Sequence, residues 1–468
     1  MRNTVLYRLL KRLDLRTLSK FEKFIDSRYF NQREDIKIFF NHYKAEIKKK
    51  DPKLLDDIIH KKVYNNDKSN PQELRLLYSR TFQLLKQFLF IESVKENKIE
   101  FGFTLSEEFK KLKDKDLFTK TFQKTSNELE DEKWRDLDFY QDKFRLEQLY
   151  YDFISDYERT KENNLQVLTE NLDVYYFIQK LNHACMIISH QSVFKKDYNL
   201  DSIKHMVLFL DDNKLFLEKY PALNVTYNCY KALIEEDHQS HFSKLKSLLI
   251  QHKNIFRPKH IRFLYSSAIN YCIKRINSGA SDFYQELFSL YKDGIENEIL
   301  LENNRLTRFS YKNIVALAVG LKEFDWVEKF IYDYKEKLDP KYRDSFFTFN
   351  LAKLKQAQNK YEEAMSLLIH FNPEDILMTL AAKANLLKMY FELQEFNSLD
   401  SLLHSMDKYL DRKKVLGYHK KHYKDVIKFS RKLMNLAPYA QEERETLRKQ
   451  IEASEMRSER DWFLKQLT

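Results

Sequence analysis

Apolar residues recur along most of this chain with the spacing of an α-helix. Leu6, Leu9, Leu10 and Leu13 follow the i, i+3, i+4, i+7 rule, which places their side chains on one helical face. The same pattern predicts four to five helices in residues 1–100 and long helices over residues 116–215. Residues 165–194 fit either one long helix or two. The chain is therefore predicted to be all-α.

Local signals predict where several helices begin. Proline is favoured at the first helical position, which predicts starts at Pro52 and Pro71. Asn31 followed by Glu34 has the spacing of a capping box and predicts a third start. The apolar pattern weakens over residues 98–115, where we expect a boundary or an adjustment between units.

The C-terminal half contains a sequence repeat. Phe324, Tyr361 and Phe396 each stand just ahead of an apolar helix with the same internal spacing, and they lie 37 and 35 residues apart. Looser copies extend the series back to about residue 220. A period in this range predicts helix pairs that stack on their neighbours and share a core. An asparagine stands eleven residues before each of the three aromatic residues: Asn313, Asn350 and Asn385.

One copy of the repeat resembles the tetratricopeptide family. Residues 349–373 read FNLAKLKQAQNKYEEAMSLLIHFNP, with Ala352 at the tight contact of the first helix and Ala364 early in the second. The resemblance implies an α-α superhelix, or solenoid, in which the first helix of each pair lines a concave peptide-binding groove. Neighbouring repeats carry larger residues at both alanine positions.

Mapping that groove onto this chain gives a set of candidate peptide-binding residues. Amide and ammonium donors in a row would suit an acidic peptide or a C-terminal carboxylate. The alternative is that the asparagine is a structural part of the repeat and the lysines are ordinary surface charges. The candidates are Asn313, Asn350, Lys353, Asn385 and Lys388.

A second resemblance covers the two ends of the chain. The segments FEKFIDSRYFN (21–31) and ERDWFLKQL (459–467) are similar to the ends of a family of long, uncharacterised helical bacterial proteins. That resemblance implies no activity and no catalytic residue. The full prediction is a basic N-terminal helical domain (1–100), a middle helical region (101–219), tetratricopeptide-like pairs (220–412) and C-terminal capping helices (413–468).

Composition narrows the possible chemistry. Only five of 468 residues are glycine, whereas strand-rich and doubly wound folds need glycine for turns and phosphate loops. Neither GxGxxG nor GxxxxGK occurs, which argues against P-loop and Rossmann nucleotide sites. The three cysteines are odd in number and widely spaced, so we expect buried thiols and no disulfide framework.

Three clusters of polar residues have residue types that also occur in metal or catalytic sites. Glu235 to His241 is predicted to be a solvated loop, and His419 with His422 an exposed helix face. His183, Cys185 and His190 could suggest a thiol nucleophile with a base, but His183 and Cys185 would point to different sides of one helix, so we expect packing residues. We therefore predict no metal, no cofactor and no enzymatic activity, although an enzyme with a composite helical site stays a third, less favoured possibility.

Charge is concentrated at the N-terminus. The net charge is +11, and residues 1–100 carry an excess of nine positive charges. Such asymmetry is typical of segments that contact an acidic partner, a nucleic acid or a membrane surface, but it also fits a basic bias spread around a small domain. The N-terminus has no continuous apolar run and no segment approaches the roughly 20 apolar residues of a membrane span, so we expect a cytoplasmic protein with neither a signal peptide nor a membrane span. The basic N-terminal helix could lie on a membrane surface, but packing of its leucine stripe onto the next helix is favoured.

These observations predict a non-enzymatic protein- or peptide-binding scaffold that uses the concave face of a tetratricopeptide-like solenoid. The alternative is a nucleic-acid-binding regulator, in which the basic residues 1–100 contact phosphates.

Overall fold

A computed structural model describes the chain except for residues 2–3, 48, 50–51, 67, 158–161, 195, 236–238, 372, 413–417, 438–439, 455 and 457–458. Its regular structure, within the described residues, consists of α-helices and one short 3-10 helix. No described helix combines the length and the apolarity needed to cross a bilayer. The all-helical prediction is confirmed. The chain divides into two compact units, Met1–Phe177 and Ile178–Thr468.

The first unit is built around one long helix. The helices are α1 (Val5–Leu10), α2 (Leu15–Asp26), α3 (Glu34–Glu46), α4 (Asp56–Tyr64), α5 (Pro71–Glu96), α6 (Lys98–Lys111), α7 (Lys115–Glu130), α8 (Leu137–Tyr157) and the start of α9 (Leu165–Phe194). Helices α1 to α4 all contact α5. Phe21 packs between Phe40 of α3 and Phe88 of α5, with ring centroids 5.0 and 5.2 Å away. Aromatic packing therefore closes the core of residues 1–89.

The second unit continues with helices that contact their neighbours in chain order. They are α10 (Asp201–Asp212), α11 (Lys214–Lys219), α12 (Pro221–Ile234), α13 (Gln239–His252), the 3-10 turn Lys253–Ile255, α14 (Pro258–Asn277), α15 (Phe283–Glu296), α16 (Arg308–Gly320), α17 (Phe324–Asp333), α18 (Arg343–Ala357), α19 (Tyr361–Ile369), α20 (Ile376–Glu392), α21 (Phe396–Arg412), α22 (Tyr418–Met434), α23 (Gln441–Glu452) and α24 (Arg460–Lys465).

Alternate helices also touch in the second unit. Besides the consecutive pairs α16·α17, α18·α19 and α20·α21, contacts join α16 to α18, α18 to α20, and α20 to α22. The even-numbered helices α16, α18, α20 and α22 therefore lie side by side in that order. Ala352 and Ala364, which the repeat placed at close contacts, are both buried.

Four helix–helix connections share one backbone turn. In each, a residue two positions before the second helix has φ between 58° and 60°, and the next backbone N–H donates to the carbonyl five residues earlier over 2.8–3.0 Å. This left-handed cap satisfies carbonyls at the end of the first helix and normally favours glycine. Here the left-handed residues are Lys113, Lys322, Asn359 and Gln394. The chain therefore builds its turns with almost no glycine.

Some local predictions hold and others are wrong. Asn70 caps α5 through a 3.0 Å bond from Gln72 N–H, so the start at Pro71 is confirmed. Asn31 does not cap α3, because its buried amide bonds to the backbone of Ile25 and Arg33 and the helix begins at Glu34. The start predicted at Pro52 is also wrong: α4 begins at Asp56.

The structure also gives the helix boundaries in two longer segments. Residues 165–194 form a single helix. Helix α6 occupies most of the stretch over residues 98–115 where the pattern weakened, and the first compact unit continues beyond it to Phe177.

Candidate ligand-binding cavity

A cavity of about 470 Å³ opens on the even-numbered helices of the second unit. We call it the cationic cavity, because the described residues that line it include four cations, Arg308, Lys312, Lys353 and Lys388, and two carboxylates. The complete lining is Arg308, Phe309 and Lys312 of α16; Phe346, Phe349 and Lys353 of α18; Asp375 before α20; Leu377, Met378, Ala381, Asn385 and Lys388 of α20; His419, His422 and Tyr423 of α22; and Glu459 before α24.

Three of the five predicted residues lie in this cavity. Lys353, Asn385 and Lys388 come from α18 and α20, and the two lysines occupy the same register position of their helices. Asn313 lies elsewhere: it is exposed, and its side chain lies beside the Tyr291 hydroxyl group.

The expectation that Asn350 faces a ligand is not met. Asn350 is fully buried, and its amide donates a 2.7 Å hydrogen bond to the carbonyl of Phe346. The bulky side chains of Phe346 and Phe349 flank this position in α18. The equivalent neighbours of Asn385 in α20 are alanines, which cover less. The same register position is therefore structural in one helix and faces the cavity in the next.

Lys353 is the most unusual group in the cavity. Part of its side chain is exposed to the cavity, but its ammonium group lies deep among protein atoms. Burial lowers the pKa of Lys353, and the positive charges of Lys312 and Lys388 lower it further. No hydrogen bond or ion pair joins Lys353 to any described residue. A half-buried ammonium group without an ion-pair partner lowers the stability of the empty site, and an anion in the cavity would give it a partner.

The two carboxylates of the cavity already have partners. Asp375 accepts hydrogen bonds from the backbone N–H groups of Leu377 and Met378, at 3.0 and 3.1 Å, and so caps α20. Glu459 forms an ion pair with Lys388, and both side chains are less than one-fifth exposed. Neither carboxylate therefore neutralises Lys353 fully, although Glu459 opposes the lowering of its pKa.

Arg308 is held in place by aromatic rings. Its guanidinium carbon lies 4.2 Å from the ring centroid of Tyr342 and 4.9 Å from that of Phe309. Such stacking orients the guanidinium plane without using its N–H donors. Phe309, which is 64% exposed, and Leu377, which is 41% exposed, add apolar surface to the lining. The cavity thus combines cationic groups with an apolar margin.

The histidine pair of α22 also reaches this site. The prediction of an exposed face is wrong for His422, which is buried, and holds for His419. Burial lowers the pKa of His422 and so favours the neutral ring, although Glu459 opposes that shift. Sequence reasoning missed Arg308, Lys312, His422 and Glu459 as members of one site. The spacing of Arg308 and Lys312, which puts both on one face of α16, was the one available signal.

The two remaining clusters of polar residues are residues 235–241 and the pair His183 and Cys185. Glu236, Asp237 and His238 lie outside the described residues, and Glu235 pairs with Lys231. Among the described residues, no group of three histidine, cysteine or acidic side chains is arranged to hold a metal ion. Cys185 is buried with its sulfur 3.9 Å from that of Cys229, while His183 is exposed, so the two do not form a catalytic pair.

Comparison of the chain with models of known protein families, with curated proteins and with solved structures finds no match.

Proposed function

We propose that the protein binds an acidic segment of a partner protein or peptide in the cationic cavity, as a non-enzymatic scaffold. The observation that carries this proposal is the convergence of Lys353, Asn385 and Lys388 on one cavity, where Lys353 has no counter-ion among the described residues. The proposal includes a tetratricopeptide-like solenoid, with α16, α18, α20 and α22 as the first helices of successive pairs.

The chemistry of the lining supports a peptide as the ligand. Charged donors fix an acidic group, and the exposed rings and aliphatic side chains at the margin offer contact area to its neighbours. Small-molecule and peptide sites usually combine a few placed polar groups with an apolar surround.

A displayed peptide library tests the proposal. Peptides selected by the wild-type chain should be enriched in acidic residues, and a variant with Lys353→Gln and Asn385→Ala should lose them. Lys329→Gln is the matched control, because Lys329 is an exposed lysine of α17 outside the cavity. Circular dichroism and thermal unfolding of each variant verify that the fold is kept. Selected peptides that bind the double variant as well as wild type would rule out the cavity as the binding site.

A second candidate function rests on a different surface, in the first unit. Arg8, Lys11, Arg12 and Arg16 are exposed within α1, α2 and the turn between them, and no described carboxylate pairs with them. Clustered cations of this kind bind phosphates with a strong dependence on salt. A DNA duplex titrated at rising salt tests this: a steep fall in affinity that disappears when the four residues are changed to glutamine supports nucleic-acid binding.

A further inference from the structure

The charges of the cationic cavity do not balance. Among the described residues that line it, four cations face two carboxylates, which leaves an excess of two positive charges. Asp375 caps a helix and Glu459 pairs with Lys388, so the excess falls on Arg308, Lys312 and Lys353. These three groups lie on α16 and α18, which are in direct contact.

The donor groups of the cavity also come from three different helices, α16, α18 and α20. A carboxylate has two oxygen acceptors and one negative charge. The cavity presents a guanidinium group, two ammonium groups without an ion-pair partner, and the Asn385 amide, which makes no side-chain hydrogen bond to a described residue. A phosphate monoester carries three acceptor oxygens and a charge of about −1.5 to −2 at pH 7. It therefore matches the excess charge of the described lining and offers one more acceptor oxygen than a carboxylate does.

We propose that the cationic cavity binds the phosphate group of a phosphorylated residue, with an apolar neighbouring residue packed against Phe309 and Leu377. The peptide part of this inference rests on the proposed function; the phosphate part rests on the charge and donor balance alone. Arg308 and Lys353 bind the phosphate oxygens from α16 and α18, and Asn385 donates to them from α20. Lys388 remains paired with Glu459 and adds to the electrostatic potential near the phosphate.

Calorimetric titration of the full chain with four probes tests the inference. The probes are acetyl-Leu-phosphoserine-Leu-amide, the same peptide with glutamate, the same peptide with serine, and inorganic phosphate. We expect the phosphopeptide to bind at least ten-fold more tightly than the glutamate peptide, with no measurable binding of the serine peptide. Lys353→Gln should weaken phosphopeptide binding at least ten-fold, whereas Lys329→Gln should leave it unchanged.

The outcomes separate this inference from the proposed function. Equal affinity for the glutamate peptide and the phosphopeptide, lost in Lys353→Gln, would overturn phosphate recognition while supporting an acidic-peptide groove. Equal affinity for inorganic phosphate and the phosphopeptide would support the phosphate site and overturn its peptide part. No phosphate or phosphopeptide binding, or equal losses in Lys353→Gln and Lys329→Gln, would overturn the inference altogether.

Discussion

The ammonium group of Lys388 is paired with the carboxylate of Glu459, which ties α20 to the segment that precedes α24. Helix α24 is in turn fixed by Trp462, whose indole N–H donates a 2.7 Å hydrogen bond to Glu392 of α20 and whose ring lies 5.5 Å from Phe391. One wall of the cationic cavity therefore comes from the C-terminal segment. The positive field in the cavity therefore depends on Glu459 as well as on Asp375.

Changing Glu459→Gln should raise anion affinity and lower stability. The substitution removes the negative charge nearest Lys388 and leaves a largely buried ammonium group without its ionic partner, which costs about 3 kcal/mol in comparable pairs. Calorimetry with sulfate should show several-fold tighter binding, and urea unfolding should show a lower midpoint that sulfate partly restores. Weaker sulfate binding in a folded variant would contradict this account. The reciprocal exchange of Lys388 and Glu459 serves as the control, because it keeps the pair.

Changing Lys353→Met should stabilise the free protein while weakening anion binding at least ten-fold. Methionine fills a similar volume without the penalty of a buried, unpaired charge, a gain of about 1 kcal/mol. Urea unfolding at pH 7.5 measures the gain, with Lys329→Met as the exposed control. A destabilised Lys353→Met variant would show that the lysine has a stabilising partner.

The stability gap between wild type and Lys353→Met should narrow as pH rises. The pKa of Lys353 is lower in the folded chain than in the unfolded chain, so the folded state loses its proton first. The penalty is therefore complete below the folded-state pKa and disappears as pH rises from that value towards the ordinary lysine value. Other titratable groups also face this region, so wild type and Lys353→Met must be compared over the same pH series. These groups are Lys312, Lys388, Glu459, His419 and His422. A gap independent of pH up to 10.5 would contradict a charge-based penalty.

Glycine at the left-handed turn positions should stabilise the second unit. Lys322 and Gln394 hold φ of 60° and 58°, a conformation that costs a side-chain-bearing residue about 1 kcal/mol. Lys322→Gly and Gln394→Gly should each raise the urea midpoint, and Asn359→Gly should raise it less, because asparagine tolerates this region. Lys329→Gly, inside α17, should lower the urea midpoint, because glycine in a helix interior reduces the free energy of unfolding by about 1 kcal/mol. Equal effects of glycine at residues 322 and 329 would exclude the turn explanation.

Replacing Gly102 with alanine should destabilise the protein, although Gly102 lies within helix α6, where alanine is normally favoured. A Cβ added there would lie 2.0 Å from the Thr125 hydroxyl oxygen of α7, so Gly102→Ala should destabilise the first unit by about 1–3 kcal/mol. Gly320, at the end of α16, has open space around it, and Gly320→Ala should be neutral or slightly stabilising. Combining Gly102→Ala with Thr125→Ala should recover most of the loss in thermal unfolding. A Gly102→Ala variant as stable as wild type would contradict the close contact.

Periodicity predicted the elements better than local capping signals did. Phe324, Tyr361 and Phe396 stand at the first residues of α17, α19 and α21, because a repeated apolar spacing reflects packing along a whole helix. Caps depend on one side chain, and tertiary contacts override them. Asn31 meets the requirements of a cap, but its amide is taken up by backbone groups in the buried turn.

The cavity was only partly predictable. Lys353 and Lys388 share a register position, so a repeat alignment places them on the same face. Glu459 joins them from a part of the chain with no repeat pattern, and Asn350 is buried although it shares the register position of Asn385. Such effects arise from three-dimensional packing, which sequence spacing does not encode.

The Lys388–Glu459 pair also has a consequence for biosynthesis. Ribosomes build the chain from its N-terminus, so the helix pairs up to α20 and α21 can fold while the later segments are still being translated, since their contacts are local. Glu459 is added after every other residue of the cavity. A nascent chain therefore passes through a stage in which Lys388 lacks its partner. At that stage we expect the proposed anion site to carry more positive charge than it does once Glu459 is in place.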